Sequence, residues 1–364
     1  MRIKVKDIAY LAGVSPATVS LVLNNKGRIS SHTRQKILDV AKQYDYFTPD
    51  SPQADPARER PVSDFALQSK GKKQRVASKS LAIVSYLEFP SYANGTKKQF
   101  FHELCDSIQD KAMQAGYITS IFAIDIKINP VLSPDSFDGF IIFAGTFSSS
   151  ELDKLIDPLI KANKPFVLCD KMFPDRMFDC IVPDNWYGGF IVGEAIANTA
   201  FTDIGYFRCD IRTDNFEQRY LGFVSALRKH GLQMEPSNVL TLSADSEASK
   251  KELEDLILSG HKFPRVIFAE SDYLAIDAIQ TFTTYGISVP DDISVIGFDN
   301  IHSASLVSPG LTTVGVHKDS LADIIVHRLD ARIKNASIPV QKIFTAVHLV
   351  ERASFICENP DVLR

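Results

Sequence analysis

The 364-residue sequence contains no apolar run approaching the roughly 18 residues that a membrane-spanning helix requires. Its opening, Met1-Arg2-Ile3-Lys4-Val5-Lys6-Asp7, never develops the apolar stretch of a secretory signal, so a soluble chain working in the cytoplasm is expected. The five cysteines, Cys105, Cys169, Cys180, Cys209 and Cys357, are odd in number, far apart and without a Cys-x-x-Cys pair. That pattern encodes neither a disulfide framework nor a structural zinc site and leaves buried or free thiols. The eight histidines show no metal spacing. A Gly-x-Ser-x-Gly elbow, a phosphate-binding Gly-Lys-Ser/Thr loop and a His-Glu-x-x-His helix are all missing. The sequence therefore predicts no catalytic residues, no metal and no cofactor.

What remains is ordinary globular composition, 45% hydrophobic and 23% charged. At roughly 100 to 200 residues per unit, the length suffices for two or three compact units. The net charge of -4 conceals an asymmetry: residues 1–50 hold eight basic and four acidic residues, an excess of +4, which leaves -8 on the remainder. A basic head on an acidic body suggests a polyanionic partner for the head.

Three stretches differ in character. Residues 1–47 read as short helices, 48–79 form a polar linker rich in Pro, Ser and Lys, and 80–364 alternate apolar runs with amphipathic segments. Leu81–Val84, Ile118–Phe122, Phe140–Phe143, Phe166–Cys169, Ile204–Phe207, Val266–Phe268 and Val295–Phe298 are continuous rather than alternating, as strands buried on both faces must be. Between them, Leu104/Ile108/Met113, Leu152/Leu155/Ile156 and Phe223/Ala226/Leu227 mark helical stripes. Tyr273–Tyr285 ends at Gly286, a left-handed cap, with Pro290 beyond. This succession predicts doubly wound parallel sheets, and the length predicts two lobes.

In the head, Ile8, Leu11 and Ala12 share one helical face, and Gly13-Val14-Ser15 forms a tight turn. Ser15 is placed to cap a second helix with Pro16 in its first position. Val19, Val22 and Leu23 carry the buried stripe, while Ile37, Leu38, Ala41 and Tyr44 of a third helix, capped by Ser31, close the core. Two helices across a glycine turn make a helix-turn-helix, whose second helix enters the major groove. The candidate DNA-facing residues are Ser15, Pro16, Ala17, Thr18, Ser20, Leu21 and Asn24.

The run from Asp7 to Asn24, DIAYLAGVSPATVSLVLN, resembles the opening of the LacI/GalR family of bacterial transcriptional regulators. Further signposts follow in family order: Val182-Pro183-Asp184-Asn185 with Gly188-Gly189, Arg219 with Gly222-Phe223, Asp272 with Ala275 and Ala278, Pro290 to Asn300, Leu311 to Val314, and Leu349 to Ser354. The resemblance implies a homodimer with a body like the two-lobed periplasmic sugar-binding proteins, one lobe from about 80–182 and 311–333, the other from about 183–309 and 335–356. A small molecule, a sugar or related metabolite, would bind between the lobes and alter how the heads sit on a two-fold symmetric DNA operator, most simply as a repressor. It places Phe101, Asp170, Arg219, Ser271, Asp272 and Asp299 in the effector cleft. Carboxylates accept from hydroxyls, a guanidinium donates, and an aromatic ring covers the apolar face of a sugar.

The chain departs from the family in three places. The linker is longer than usual and its first part is too rich in proline for a hinge helix. Ala66 to Lys70 is the best hinge candidate, with Leu67 as a minor-groove wedge, the alternative being a basic tether that meets phosphates without reading sequence. Leu21 stands where many relatives have Arg, which removes a guanine contact. Ser271 and Phe143 make the cleft less polar. No C-terminal heptads follow Arg352, which favours a dimer over a tetramer. The competing readings, a sugar-binding protein without DNA function and an enzyme, are opposed by the head and by the missing catalytic motifs.

Overall fold

The computed structural model describes residues 9, 14–23, 33, 34, 36, 37, 40 and 41 of the head, then 79–86, 99–124 and 133–356. The chain divides into two compact units, residues 1–74 and 75–364. Asn24, the hinge candidate with Leu67, the tether, Ser31, Leu38, Tyr44 and Cys357 lie outside the described residues. Lys79, assigned to the linker from sequence, instead opens the first strand of the body opposite Tyr117.

In the head, α1 (Pro16–Leu23) begins where proline chemistry predicts. Ser15 Oγ accepts from Thr18 N at 3.1 Å, so the expected cap forms. Val14 N donates to Ala9 O at 3.0 Å across the turn. Ala9, Val19, Val22, Ile37 and Ala41 are buried.

The body holds two six-stranded sheets. In chain order its elements are β1 (Lys79–Tyr86), α2 (Gln99–Gln114), β2 (Tyr117–Ile124), β3 (Gly139–Phe143), α3 (Ser149–Lys161), β4 (Phe166–Cys169) and β5 (Cys180–Pro183), then α4 (Asn185–Ala197), β6 (Ile204–Cys209), α5 (Asp214–Lys229), β7 (Val239–Leu242), α6 (Ser246–Leu258), β8 (Val266–Ala269), α7 (Asp272–Thr284), β9 (Ser294–Asp299) and β10 (Thr312–Val316), and last α8 (Lys318–Lys334), β11 (Lys342–Thr345) and β12 (Val347–Val350). The sheet orders are β11-β5-β4-β3-β1-β2 and β12-β10-β9-β8-β6-β7. Every pairing is parallel except β10 with β12.

All seven strands expected from the apolar runs form, and burial on both faces is the cause for six of them; β2 is an edge strand with Ile118 and Ile121 exposed. Leu81 and Ile83 face one apolar layer with α2 and α8, whereas Ala82 and Val84 face another with α3. In the second lobe, Tyr206 and Phe268 face α5 while Phe207 and Ile267 face α7. Helical stripes are correct with one exception: Met113 is 68% exposed, and Ala112, one residue earlier, takes the buried position. Gly286 closes α7 with φ +75°.

The lobe boundaries differ from those expected. Strand β10 pairs with β9 in the second lobe, and β11 pairs with β5 in the first. The chain therefore crosses between lobes at Asp184, at His317 and at Ala346, so 311–316 belong to the second lobe and 342–345 to the first. Sequence reading split the C-terminal region between α8 and the final strands, but sheet hydrogen bonding decides ownership, and a short strand can complete either edge.

The tightest packing in the body is the crossing of α4 and α5. A Cβ on Gly189 would lie 1.9 Å from Arg219 O, and one on Gly222 would lie 1.8 Å from Trp186 O. Both obstructions are backbone, so no rotamer change relieves them. Gly222→Ala is expected to cost about 3 kcal/mol or more, measured by denaturant unfolding. An Ala substitution at Gly231, which meets nothing within 4 Å but has φ +70°, is expected to cost less, about 1 kcal/mol.

Candidate functional site

Parallel sheets of this order bind ligands outside the carboxyl ends of their strands. Four residues singled out from sequence, or their neighbours, lie there: Phe143 ends β3, Asp170 follows β4, Ser271 follows β8 and Asp299 ends β9. Asp170 and Asp299 have φ of +65° and +110°, and Asn300 has +47°. These non-glycine residues, one beside the first-lobe sheet and two beside the second, are held in this costly region by their surroundings.

The centre of the site is Arg219, carried on α5 and 5% exposed. Thr213 caps α5 by accepting from Phe216 N at 3.3 Å, which fixes the start of the helix. Arg219 Nη2 donates to Asp299 Oδ1 at 2.9 Å, Nε to Asn185 Oδ1 at 2.9 Å and Nη1 to the Glu270 carbonyl at 2.6 Å. Its guanidinium carbon lies 3.6 Å from the centroid of the Phe298 ring and 5.3 Å from that of Phe216. A buried cation thus has a counterion, oriented acceptors and aromatic faces, the compensation that burial of a charge demands.

On the first-lobe side, Phe101 packs edge-on against Phe143 with centroids 4.6 Å apart. Asp170 is contacted across the cleft: Asn215 Nδ2 donates to its Oδ1 at 2.7 Å and to its carbonyl at 2.9 Å. Beside it Lys171 meets Asp214 at 3.6 Å. A second bridge joins the lobes at the start of α2, where Ser303 Oγ donates to Gln99 Oε1 at 2.7 Å and Tyr273 Oη accepts from Phe100 N at 3.1 Å. A surface groove of about 810 Å³ adjoins this bridge, lined in part by His102, Glu103, His302 and Arg352.

Burial raises the Asp170 carboxyl to about 6, with Arg219 opposing that rise and Asp299 adding to it. Burial likewise raises Asp299, against the pull of Arg219 and Lys318. Asp272 is pushed to about 8 by burial and by the Asp299 charge. These carboxyls crowd one another where water is scarce.

The expected effector residues do not all meet. Asp170, Arg219 and Asp299 stand close enough to shift one another's charge, and Phe101 packs on Phe143 at the end of β3. Asp272 is fully enclosed, with Oδ1 accepting from Thr313 Oγ1 at 2.5 Å and Oδ2 from Ile301 N at 2.9 Å. Both acceptors tie β10 and the 300–305 loop to α7, which makes Asp272 an anchor of the rim. Ser271 is the N-cap residue of α7, yet its side chain does not cap the helix. Asn215, Asn185, Glu270 and Phe298 were not singled out for the site. Asn185 and Phe298 stood inside quoted motifs, whereas Glu270 and Asn215 had no local signal.

Among the described residues no group of His, Cys, Asp or Glu could hold a metal, and no helix is long and apolar enough to cross a membrane. Cys105, Cys169, Cys180 and Cys209 are buried free thiols. In the head, Ser20 is exposed on α1 and Thr18 partly so, with Thr18 Oγ1 2.8 Å from Ser15 Oγ; Pro16, Ala17 and Leu21 lie along the same helix.

A carboxyl raised in the folded state binds its proton more tightly there than in the unfolded chain, so its contribution to stability is present at low pH and is lost as pH rises. For Asp272 that window runs from about pH 4 to the folded value of about 8. Asp272→Asn is expected to flatten the fall of the thermal midpoint across this window. An unchanged slope in scanning calorimetry would show that Asp272 does not hold a proton in the fold.

The helix-turn-helix family of bacterial regulatory proteins, lacI family, matches residues 4–49, and the periplasmic binding protein-like domain matches residues 194–355. The chain is 32% identical over 320 residues to the HTH-type transcriptional regulator DegA of Bacillus subtilis, covering 86% of each protein. Two solved structures share the fold across 97% of this chain: a complex of the transcriptional regulator CelR with cellobiose, at 19% identity and TM-score 0.63, covering 100% of that chain, and the lac repressor dimer bound to operator and an anti-inducer, at 18% identity and TM-score 0.60, covering 99% of that chain. With the helix-turn-helix head and the two-lobed body both matched, this chain belongs to the LacI family of DNA-binding transcriptional regulators and is not an enzyme.

Proposed function

We propose that this regulator is a repressor that binds a two-fold symmetric operator as a homodimer and is controlled by a sugar or related metabolite between the lobes of its body. The observation that carries the effector reading is the Arg219–Asp299 pair, buried at the carboxyl ends of the strands with Phe101 and Asp170 facing it from the other lobe. Arg219 offers donors, Asp170 and Asp299 offer acceptors, and Phe101 offers a ring. That set fits hydroxyl-bearing ligands such as the cellobiose held by CelR. Asp272 serves as an anchor in this reading, and Asn215 joins the cleft.

A dimer is supported by β2, which is an edge strand of the first lobe. Its Ile118 and Ile121 are 59% and 44% exposed, and Met113 nearby on α2 is 68% exposed. Unpaired strand edges with exposed apolar side chains invite a second copy. DNA reading is assigned to α1, through Ser15, Pro16, Ala17, Thr18, Ser20 and Leu21, with Asn24 beyond its end and Leu67 as the minor-groove wedge. A regulator acting on chromosomal DNA works in the cytoplasm.

Coupling follows from the three crossovers. Any change in the angle between lobes is absorbed at Asp184, His317 and Ala346, and it displaces the first lobe, which follows the linker in sequence.

Selection of bound fragments from genomic DNA by the full-length protein is expected to enrich one two-fold symmetric site, absent for a truncation beginning at Arg75. Asp299→Asn is expected to retain that site in mobility-shift assays while losing its response to the effector by about 100-fold. Retained response in this variant would overturn the cleft assignment.

A further inference from the structure

We infer that the cleft selects an uncharged, polyhydroxylated ligand and rejects its phosphorylated and carboxylated counterparts. This rests on the cleft being the effector site and narrows what the site takes.

The argument is an inventory of charge. Four described cations, Lys171, Arg212, Arg219 and Lys318, lie by the cleft, and each already has a carboxylate partner. Lys318 carries three N–H donors, and its Nζ has three acceptors: Glu103 Oε2 at 3.1 Å, the Asp299 carbonyl at 3.0 Å and the Asn300 carbonyl at 2.9 Å. Lys171 pairs with Asp214. Arg212 meets Glu217, which it shares with Arg208, at 2.9 Å and fully buried Glu270 at 2.5 Å. Arg219 spends its charge on Asp299 and two further N–H groups on Asn185 and Glu270, with Phe298 covering one face.

Against these stand carboxylates with acceptor capacity to spare. Asp170 has one oxygen taken by Asn215, and its other oxygen lies only 2.5 Å from where a Gly145 Cβ would stand, so the absence of a side chain there leaves it room. Asp299 uses one oxygen on Arg219. Burial raises Asp170, Asp272 and Asp299 first, and a neighbouring carboxylate adds to each rise, so a further negative charge beside them is disfavoured. A ligand phosphate or carboxylate would meet Lys171, Arg212, Arg219 and Lys318 already beside carboxylates and would stand next to Asp170. A hydroxyl can donate to Asp170 and Asp299 and still accept. Acceptors are wanted too: among the described residues Arg212 Nη2 is a buried N–H group without a partner, on a guanidinium whose charge is already matched. It lacks an acceptor, which a neutral hydroxyl supplies, rather than a counterion.

The test uses matched pairs that differ only in charge: ribose and ribose 5-phosphate, glucose and glucose 6-phosphate, galactose and galacturonate. Titration calorimetry with the full-length protein at about pH 7.5 keeps Asp170 ionised. At least one neutral sugar is expected to bind, with its charged partner weaker by about 100-fold or more. Asp170→Asn, which removes the charge and keeps the shape, is expected to narrow that gap by about 10-fold. A charged member binding as tightly as its neutral partner, or a gap unmoved by Asp170→Asn, overturns the inference while leaving the cleft in place. Binding that survives Arg219→Lys without change places the ligand elsewhere and overturns the site itself. If no neutral sugar binds at millimolar concentration, the polyhydroxylated class is wrong.

Discussion

The arrangement of the second lobe turns on one buried guanidinium. Arg219 cannot be taken from water without a counterion and directed acceptors, and these come from three separate places in the chain: Asn185 at the start of α4, the Glu270 carbonyl beyond β8, and Asp299 at the end of β9, with the Phe298 ring beside it covering one face. Satisfying that one group therefore fixes the relation of a helix, two strand ends and a crossover. The unusual backbone of Asp299 at φ +110° is a conformation that this carboxylate would not adopt unsupported.

Arg219 reaches those partners because α4 and α5 approach until backbone meets backbone. Gly189 and Gly222 make the approach possible, and the Arg219 carbonyl is itself one side of the contact. The same closeness puts Asn185, in the first turn of α4, within hydrogen-bond reach of the guanidinium. Glu270 works on the other side of the strand end, where it holds Tyr206 Oη at 2.9 Å, Cys209 N at 2.5 Å and Arg212. The loop leading into α5 is fixed by that carboxylate, so the direction of α5 depends on it.

Much of this was legible in the residues. The apolar runs identified seven strands, six of them because a sheet covered on both faces needs apolar side chains at every position, and the turn chemistry at Ser15-Pro16 and Gly286 marked helix ends by local rules of backbone conformation. Gly189, Gly222, Arg219 and Asp299 stood out inside longer motifs. Short strands did not stand out: β7, β11 and β12 have only four residues each, with partly exposed positions that carry no clear period. Met113 was misplaced by one residue for a similar reason, since the stripe of α2 drifts and Ala112 falls at the centre of the buried face.

By itself, then, the sequence determined the class of fold, the succession of elements, the helix-turn-helix head and the two residues of the central ion pair, because each is written in local periodicity, cap chemistry or a contiguous motif. The tertiary structure alone decided which lobe owns β10 and β11, that Asn215 reaches Asp170 across the cleft, and that Asp272 faces inward to Thr313 and Ile301. These depend on partners 29 to 45 residues apart or on the choice of sheet edge, and no local rule records where a distant acceptor will stand.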